Sequence, residues 1–270
     1  MTTVATVVLV ALLAGCATGI GALPTLASTQ VSHRVYDGAI GLAAGIMVGA
    51  AVFALIVPGL EFGTPWEVVA GLLGGGAFML VANALLPHLH LRFRGERLEG
   101  TAVVDEASLP DRLEPTREED GAIRRALLVG SAVTIHNVPE GLAVGIAFAS
   151  GETALGFAIA TAIAVQNVPD GFAMAVPAVR AGVSKPKTIL YTTLSGGVPE
   201  PIAAAVGFTL VAFVTGLFPV AAGFAAGAMI AVVFRELVPS SHGHGYADTA
   251  TATFVCGFAI MLVVDTVLAV

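Results

Sequence analysis

Three apolar stretches of this chain each contain the triplet Val-Pro-acid, and the first two acids stand among side chains that could bind a cation. The triplets begin at residues 138, 168 and 198, which is a regular spacing of 30 residues. A carboxylate inside an apolar stretch is costly unless it is protonated, hydrated or bound to a cation. No Lys or Arg lies at the depth of these acids to neutralise them. We therefore expect a functional site where the three triplets meet.

The neighbours of the acids narrow the choice of cation. The first two acids share a helical face with a residue four positions earlier and an Asn three positions earlier. These sets are His136, Asn137 and Glu140 in one stretch, and Gln166, Asn167 and Asp170 in the next, with Glu200 in the third. Imidazole with carboxylate and amide oxygens suits Zn, Fe, Mn, Co or Ni better than Na or K. The pattern predicts a divalent-metal site in which Glu140 and Asp170 could each bridge two ions.

Composition shows what kind of fold must position these residues. The chain has 270 residues, of which 56% are hydrophobic and 11% are charged, and its mean hydropathy is +0.90. A soluble domain carries roughly 25% charged residues. Nucleic-acid binding is not expected, because no Lys- and Arg-rich stretch is accompanied by stacking aromatics. The composition predicts an all-α integral membrane protein.

Eight apolar stretches are long enough to cross a bilayer, which takes about 20 residues. We predict one transmembrane domain over residues 1–270, with helices at about 4–27, 38–60, 66–88, 121–149, 153–179, 187–214, 217–238 and 249–269. Residues 89–120 hold nine acids and five arginines, which is typical of a solvated loop. Each triplet lies near the middle of its helix, about 20 Å from the end at 1.5 Å per residue. The three acids are therefore expected at one depth.

The basic residues predict the orientation of the helices. All 12 Lys and Arg residues fall in or beside the loops that join helices 1–2, 3–4, 5–6 and 7–8. By the positive-inside rule these loops face the cytoplasm. The chain is thus predicted to be a multi-pass protein of the plasma membrane, with both termini outside and loop 89–120 in the cytoplasm.

The prolines of the triplets should also shape the site. A proline inside a helix lacks an N–H and clashes with the carbonyl one turn earlier, so each helix is expected to kink there. Backbone freed in this way is tolerated at membrane depth where it lines a cavity or binds an ion. The proline positions are Pro139, Pro169 and Pro199.

Several other residues have a less defined role. Met47 in the second helix could add a soft thioether ligand, or could simply fill the core. Glu236 is expected to pair with its neighbour Arg235 and could belong to an exit path. Asp265 has no assigned role. Four histidines at the cytoplasmic ends could pass metal to the cytosol or be ordinary loop residues: His88, His90, His242 and His244.

The motifs of the fourth and fifth helices resemble the paired signatures of the ZIP (Zrt-, Irt-like protein) metal transporters. They read His-Asn-Val-Pro-Glu-Gly from residue 136 and Gln-Asn-Val-Pro-Asp-Gly from residue 166. The resemblance extends over all eight helices and includes the Pro-His-Leu-His end of the third. Many members of the family have His where Gln166 stands, whereas the bacterial and archaeal GufA-like branch also uses Gln. The resemblance implies a 3+2+3 arrangement of helices with inverted pseudo-symmetry.

The resemblance also implies a binuclear site and a function. One metal position would use His136, Glu140, Gln166 and Asp170, perhaps joined by Met47, and the other Asn137, Glu140, Asn167, Asp170 and Glu200. The implied activity is transport of divalent cations toward the cytoplasm, with zinc first and iron, manganese, cobalt or cadmium as further substrates. The metal is then cargo, and no cofactor is expected. Family members often form homodimers.

Two other functions compete with transport. An intramembrane metal-dependent hydrolase would need an activated water at an open coordination position, with Glu140 as general base. No His-Glu-x-x-His motif supports it, so the chain is not expected to be an enzyme. A pathway for protons or monovalent cations would use the acids alone and would leave His136 and the two Asn residues without a role.

Overall fold

A computed structural model describes residues 2–27, 31–91, 135–180, 182–214 and 216–268, without the side chains of 85–91 and 268. The described residues form helices joined by short turns, and none of them belongs to a β-strand. The prediction of an all-α chain is confirmed for this part. The predicted loop 89–120 lies outside the described residues from position 92 onward, as does the predicted helix 121–149 before position 135.

The helices are numbered here in chain order. They are α1 (Val4–Ala27), α2 (His33–Phe62), α3 (Pro65–Leu91), α4 (135–149), α5 (Thr153–Arg180), α6 (Lys185–Phe213), α7 (Phe218–His242) and α8 (Ala247–Leu268). Within the described ranges, all of them except α4 contain a stretch long and apolar enough to cross a membrane. The chain is thus a multi-pass membrane protein in its composition and its helix lengths.

Helix α2 begins at His33, earlier than the sequence predicts, because a capping residue and a buried ion pair hold its first turns. The hydroxyl oxygen of Ser32 accepts a hydrogen bond from the N–H of Val35 at 3.3 Å. Such a cap satisfies one of the free N–H groups at a helix start. Asp37 is fully buried and lies 2.7 Å from Nδ1 of His244. A helix predicted only from its apolar residues begins after a charged residue such as Asp37, so the predicted start at about 38 is too late.

Among the described residues, two helices contain a widened π turn immediately before a Val-Pro dipeptide. The widened segments are Ala50–Ile56 in α2 and Val233–Leu237 in α7. A proline cannot donate to the preceding turn and crowds it, and a π turn is one way in which a helix accommodates that disturbance. By contrast, α5 stays helical through Pro169 and Pro177, whereas α6 is interrupted at Val198, between Lys185–Gly197 and Pro199–Phe213. Only α6 is interrupted at its triplet, and a kink at the prolines of α4 and α5 stays a prediction.

Glycines bring α1, α4, α5 and α6 into close contact. A Cβ atom on Gly15 of α1 would lie 2.5 Å from the carbonyl oxygen of Gly196 in α6. Cβ atoms on Gly171 and Gly141 would collide with the backbones of Thr18 and Glu200. Small residues allow helix backbones to approach this closely in membranes. These contacts set the distances between the helices that carry the triplets.

The other four helices pack through a repeated set of glycine contacts. Helix α2 packs on α8, and α7 packs on α3. Adding 182 to a residue number in α2 or α3 gives the equivalent position in α7 or α8 (41 to 223, 68 to 250). The matching contacts are Gly41 with Ala250 and Gly223 with Val68, then Gly45 with Phe254 and Gly227 with Leu72. The pair formed by α7 and α3 thus repeats the pair formed by α2 and α8.

Candidate metal centre

The structure brings the three triplets together in the interior of the helix bundle. Glu140 of α4 and Glu200 of α6 are fully buried, and Asp170 of α5 is half-buried. A Cβ atom on Gly141 would collide with the backbone of Glu200, so α4 and α6 are in contact at the level of their acids. The first and third triplets are therefore in contact inside the fold, and a common depth of all three acids in the membrane stays a prediction.

A hydrogen bond between side chains joins α4 to α5 at this level. The Nε2 atom of Gln166 donates to Oε1 of Glu140. Glu140 then keeps its second oxygen, Oε2, for another partner, and Gln166 keeps its carbonyl oxygen, Oε1. Both of these oxygens are buried, and neither has a hydrogen-bond partner.

A second hydrogen bond joins α5 to α6. The Nδ2 atom of Asn167 donates to Oε1 of Glu200 at 2.8 Å and to the carbonyl oxygen of Ala14 in α1 at 2.9 Å. This amide ties three helices together. It leaves Oδ1 of Asn167 and Oε2 of Glu200 buried without a partner.

Five of the predicted ligands thus present a buried oxygen that accepts no hydrogen bond from any of the described residues. These atoms are Glu140 Oε2, Gln166 Oε1, Asn167 Oδ1, Asp170 Oδ1 and Glu200 Oε2. A buried acceptor without a donor typically costs about 1–3 kcal/mol. A divalent cation is a partner that could satisfy several such oxygens at once.

Asn137 has a contact that the sequence did not reveal. Its Nδ2 atom donates to the carbonyl oxygen of Ser195 at 2.7 Å. In an α-helix this carbonyl would accept from the N–H of residue 199, which is a proline and has none. Asn137 therefore satisfies the carbonyl that Pro199 leaves free and fixes α4 to the interruption in α6. Whether its amide oxygen also binds metal stays a prediction.

His136 is turned toward α7 instead of toward Glu140. Its Nε2 atom lies 2.6 Å from Oε2 of Glu236, and Asn83 of α3 donates to the other oxygen of Glu236 at 3.1 Å. The expected pairing of Glu236 with Arg235 is wrong, because Glu236 is buried, whereas Arg235 is exposed. Residues adjacent in a helix do not face each other, so the sequence itself indicates that Glu236 and Arg235 do not pair. Sequence reasoning therefore missed Glu236 as a polar contact of a predicted ligand.

In this arrangement of side chains, the described residues include no group of three or more His, Cys, Asp or Glu residues that could hold a metal ion. The hydrogen bonds explain why. Amide groups occupy one oxygen each of Glu140 and Glu200, and Glu236 holds His136. His136 would have to leave Glu236 in order to bind a metal ion through its Nε2 atom.

The remaining candidate residues have other neighbours, or their side chains lie outside the described residues. Met47 is buried in the apolar core on α2, and its role as a ligand stays a prediction. His242 is exposed and its Nδ1 atom contacts the carbonyl of Val238 at 3.0 Å, whereas His244 binds Asp37. Asp265 is half-buried on α8. The side chains of His88 and His90 lie outside the described residues.

Comparison with known proteins shows strong similarity over nearly the whole chain. Residues 104–265 match the Zip family, described as ZIP zinc transporter. The zinc transporter GufA of Myxococcus xanthus is 35% identical over 263 residues, which cover 94% of this chain and 95% of that protein. The zinc transporter ZIPB of Bordetella bronchiseptica is 33% identical, with 93% and 78% covered. The zinc transporter ZupT of Corynebacterium glutamicum is 32% identical, with 93% and 95% covered.

Proposed function

This chain belongs to the ZIP family of zinc transporters, and we propose that it carries zinc across the membrane toward the cytoplasm. Iron, manganese, cobalt and cadmium are further candidate substrates, because imidazole, carboxylate and amide ligands suit all of these ions. The observation that carries the proposal is the set of five buried oxygens without hydrogen-bond partners, contributed by α4, α5 and α6. The metal is cargo in this account.

The oxygens support a site for two ions. Glu140 and Asp170 would bridge the ions, since each stands between two sets of neighbours. Gln166 and His136 would complete one position, and Asn137, Asn167 and Glu200 the other. Met47 is a candidate for a further ligand at the first position. Both bridging residues have an unpartnered oxygen, as do Gln166, Asn167 and Glu200.

His136 would change partners when metal arrives or leaves. Its contact with Glu236 lies on the α7 side, whereas Glu140 lies one turn along α4. A ligand that a carboxylate can hold away from the metal offers a way to release the ion. Glu236 and Asn83 would then take part in release rather than in the loaded site.

The repeated glycine contacts support the 3+2+3 arrangement. The constant difference of 182 residues relates α2 to α7 and α3 to α8 (45 to 227, 72 to 254). The π turns before Val57-Pro58 and Val238-Pro239 fall in the same related pair of helices. An inverted repeat of α1–α3 and α6–α8 around α4 and α5 accounts for both observations. Two-fold arrangements of this type place substrate sites near the bilayer midplane.

Two cation contacts support the orientation proposed from the basic residues. Arg180 donates to the carbonyl of Val31 at 2.7 Å, and Lys185 donates to the carbonyl of Leu26 at 2.8 Å. The α1–α2 and α5–α6 connections therefore lie at one end of the bundle. We place this end in the cytoplasm and the chain in the plasma membrane, where it would act as a homodimer. The relatives are named as transporters, which gives the hydrolase alternative no support.

Uptake by purified protein in lipid vesicles tests the proposed function. Zn, Fe(II), Mn, Co and Cd would be offered separately, with protein-free vesicles as the control. Zinc should accumulate inside the vesicles at a saturable rate, and at least one other ion should compete with it. Zinc flux no faster than in protein-free vesicles would contradict the proposal.

A further inference from the structure

Tyr36 makes an unusual hydrogen bond near the cytoplasmic end of α2. Its hydroxyl group donates to the carbonyl oxygen of Ala173 in α5 at 3.2 Å. In an α-helix the carbonyl of residue 173 accepts from the N–H of residue 177. Residue 177 is a proline, so this donor is missing. Tyr36 supplies the hydrogen bond that Pro177 cannot make.

The carbonyl that Tyr36 holds belongs to the metal-facing side of α5. Gln166, Asp170, Ala173 and Pro177 follow one another at spacings of four, three and four residues. Residues at such spacings lie on one face of a helix. Ala173 lies about 4.5 Å along the axis from Asp170, at 1.5 Å per residue. The hydrogen bond therefore acts on the helical turn next to a proposed ligand.

The ring of Tyr36 is held by neighbours on α2, on α5 and in the turn between α7 and α8. Tyr36 is buried, and it packs with Ile40 and Val176 in a small apolar cluster. The ring of His244 meets it edge to face, with the centroids 5.7 Å apart. His244 is in turn held by the buried carboxylate of Asp37. A side chain anchored in this way can hold α5 against α2 at a defined position.

We propose that Tyr36 is a positioning residue for metal binding. Its hydroxyl group holds the part of α5 that contains Pro177, so that Gln166 and Asp170 face Glu140. This inference rests on the proposed transport function, since it assigns a purpose to the geometry of α5. It differs from a packing role, which the ring of a phenylalanine would fill as well.

Zinc binding to purified protein, measured by isothermal titration calorimetry, tests the inference. Tyr36→Phe keeps the ring and removes the hydroxyl, and the zinc dissociation constant should rise about fivefold. That ratio corresponds to about 1 kcal/mol, the typical net value of one hydrogen bond. Tyr191→Phe is the matched control, because Tyr191 is 47% exposed on α6 and should leave zinc binding unchanged.

The Pro177→Ala background makes the test specific. Alanine at 177 restores the backbone N–H for the carbonyl of Ala173, so the hydroxyl of Tyr36 is no longer needed. Tyr36→Phe should then change the dissociation constant less than about twofold. A merely structural role would lower the melting temperature without this dependence on residue 177.

The possible results separate the inference from the proposed function. Unchanged zinc affinity in Tyr36→Phe would overturn the inference alone. An equal loss in both backgrounds would also overturn it, because the effect would not pass through the carbonyl of Ala173. A parent protein that binds no zinc would overturn the proposed function, and this inference with it.

Discussion

Glu140→Gln is expected to separate the stability of the protein from its affinity for metal. The substitution keeps the size of the side chain and an oxygen that can accept from Gln166. It removes a negative charge from a group that is fully buried and proposed to touch both ions. The metal-free protein should therefore melt no lower than the parent, because no hydrogen bond and no packing is lost.

The effect on metal binding should be large. Two unit charges 4 Å apart interact by about 4 kcal/mol at an effective dielectric constant of 20, which is about a thousandfold in affinity. Zinc at 100 times its dissociation constant stabilises the parent by about 2.7 kcal/mol. Unfolding of a chain of this size then shifts upward by roughly 5 to 10 °C. A thousandfold loss of affinity removes nearly all of that shift.

Thermal unfolding with zinc and with a chelator measures both effects in one assay. Glu152→Gln is the matched control, because Glu152 is an exposed acid in the turn between α4 and α5. This control should show the same zinc shift as the parent. If Glu140→Gln showed the full shift as well, the carboxylate of Glu140 would not be a metal ligand.

Three further predictions concern orientation, the roles of His136 and Glu140, and proton competition. A unique cysteine at Ala107, in a background without Cys16 and Cys256, should resist impermeant thiol reagents in intact cells, and rapid labelling would reverse the proposed orientation. His136→Ala should keep more zinc uptake than Glu140→Ala, with weaker apparent affinity, since it removes one ligand and leaves the bridging carboxylate. Imidazole and carboxylate bind metal only when deprotonated, so apparent affinity should fall as the outside pH drops, less steeply in His136→Ala. Equal pH profiles in the parent and His136→Ala would show that His136 is not a ligand.

The cluster of buried polar side chains could be predicted because helical periodicity fixes which residues share a face. The spacing of Gln166 and Asn167 from Asp170 placed all three toward the interior, and the structure has both amides in contact with acids of other helices. The spacing within one helix does not show which residue of another helix each side chain contacts. The bond from Asn137 to the carbonyl of Ser195 depends on how α4 docks against the interruption in α6.

The contact of Glu236 with His136 was missed for a related reason. Arg235 is next to Glu236 in sequence, and a local pairing would neutralise both charges. The helix directs the two residues to different sides, so Glu236 is buried and Arg235 is exposed. The π turn that contains both residues was also absent from the prediction, since it is a response of the backbone to Pro239.

The location of bound metal is the most direct test of the central claim. Crystals soaked in zinc or cadmium would be measured by anomalous scattering. Two neighbouring peaks are expected between α4, α5 and α6, beside Glu140 and Asp170. A single peak there would leave a mononuclear site and contradict the bridging role of the two acids. Peaks only at His242 and His244 would contradict the account of a metal site in the middle of the membrane.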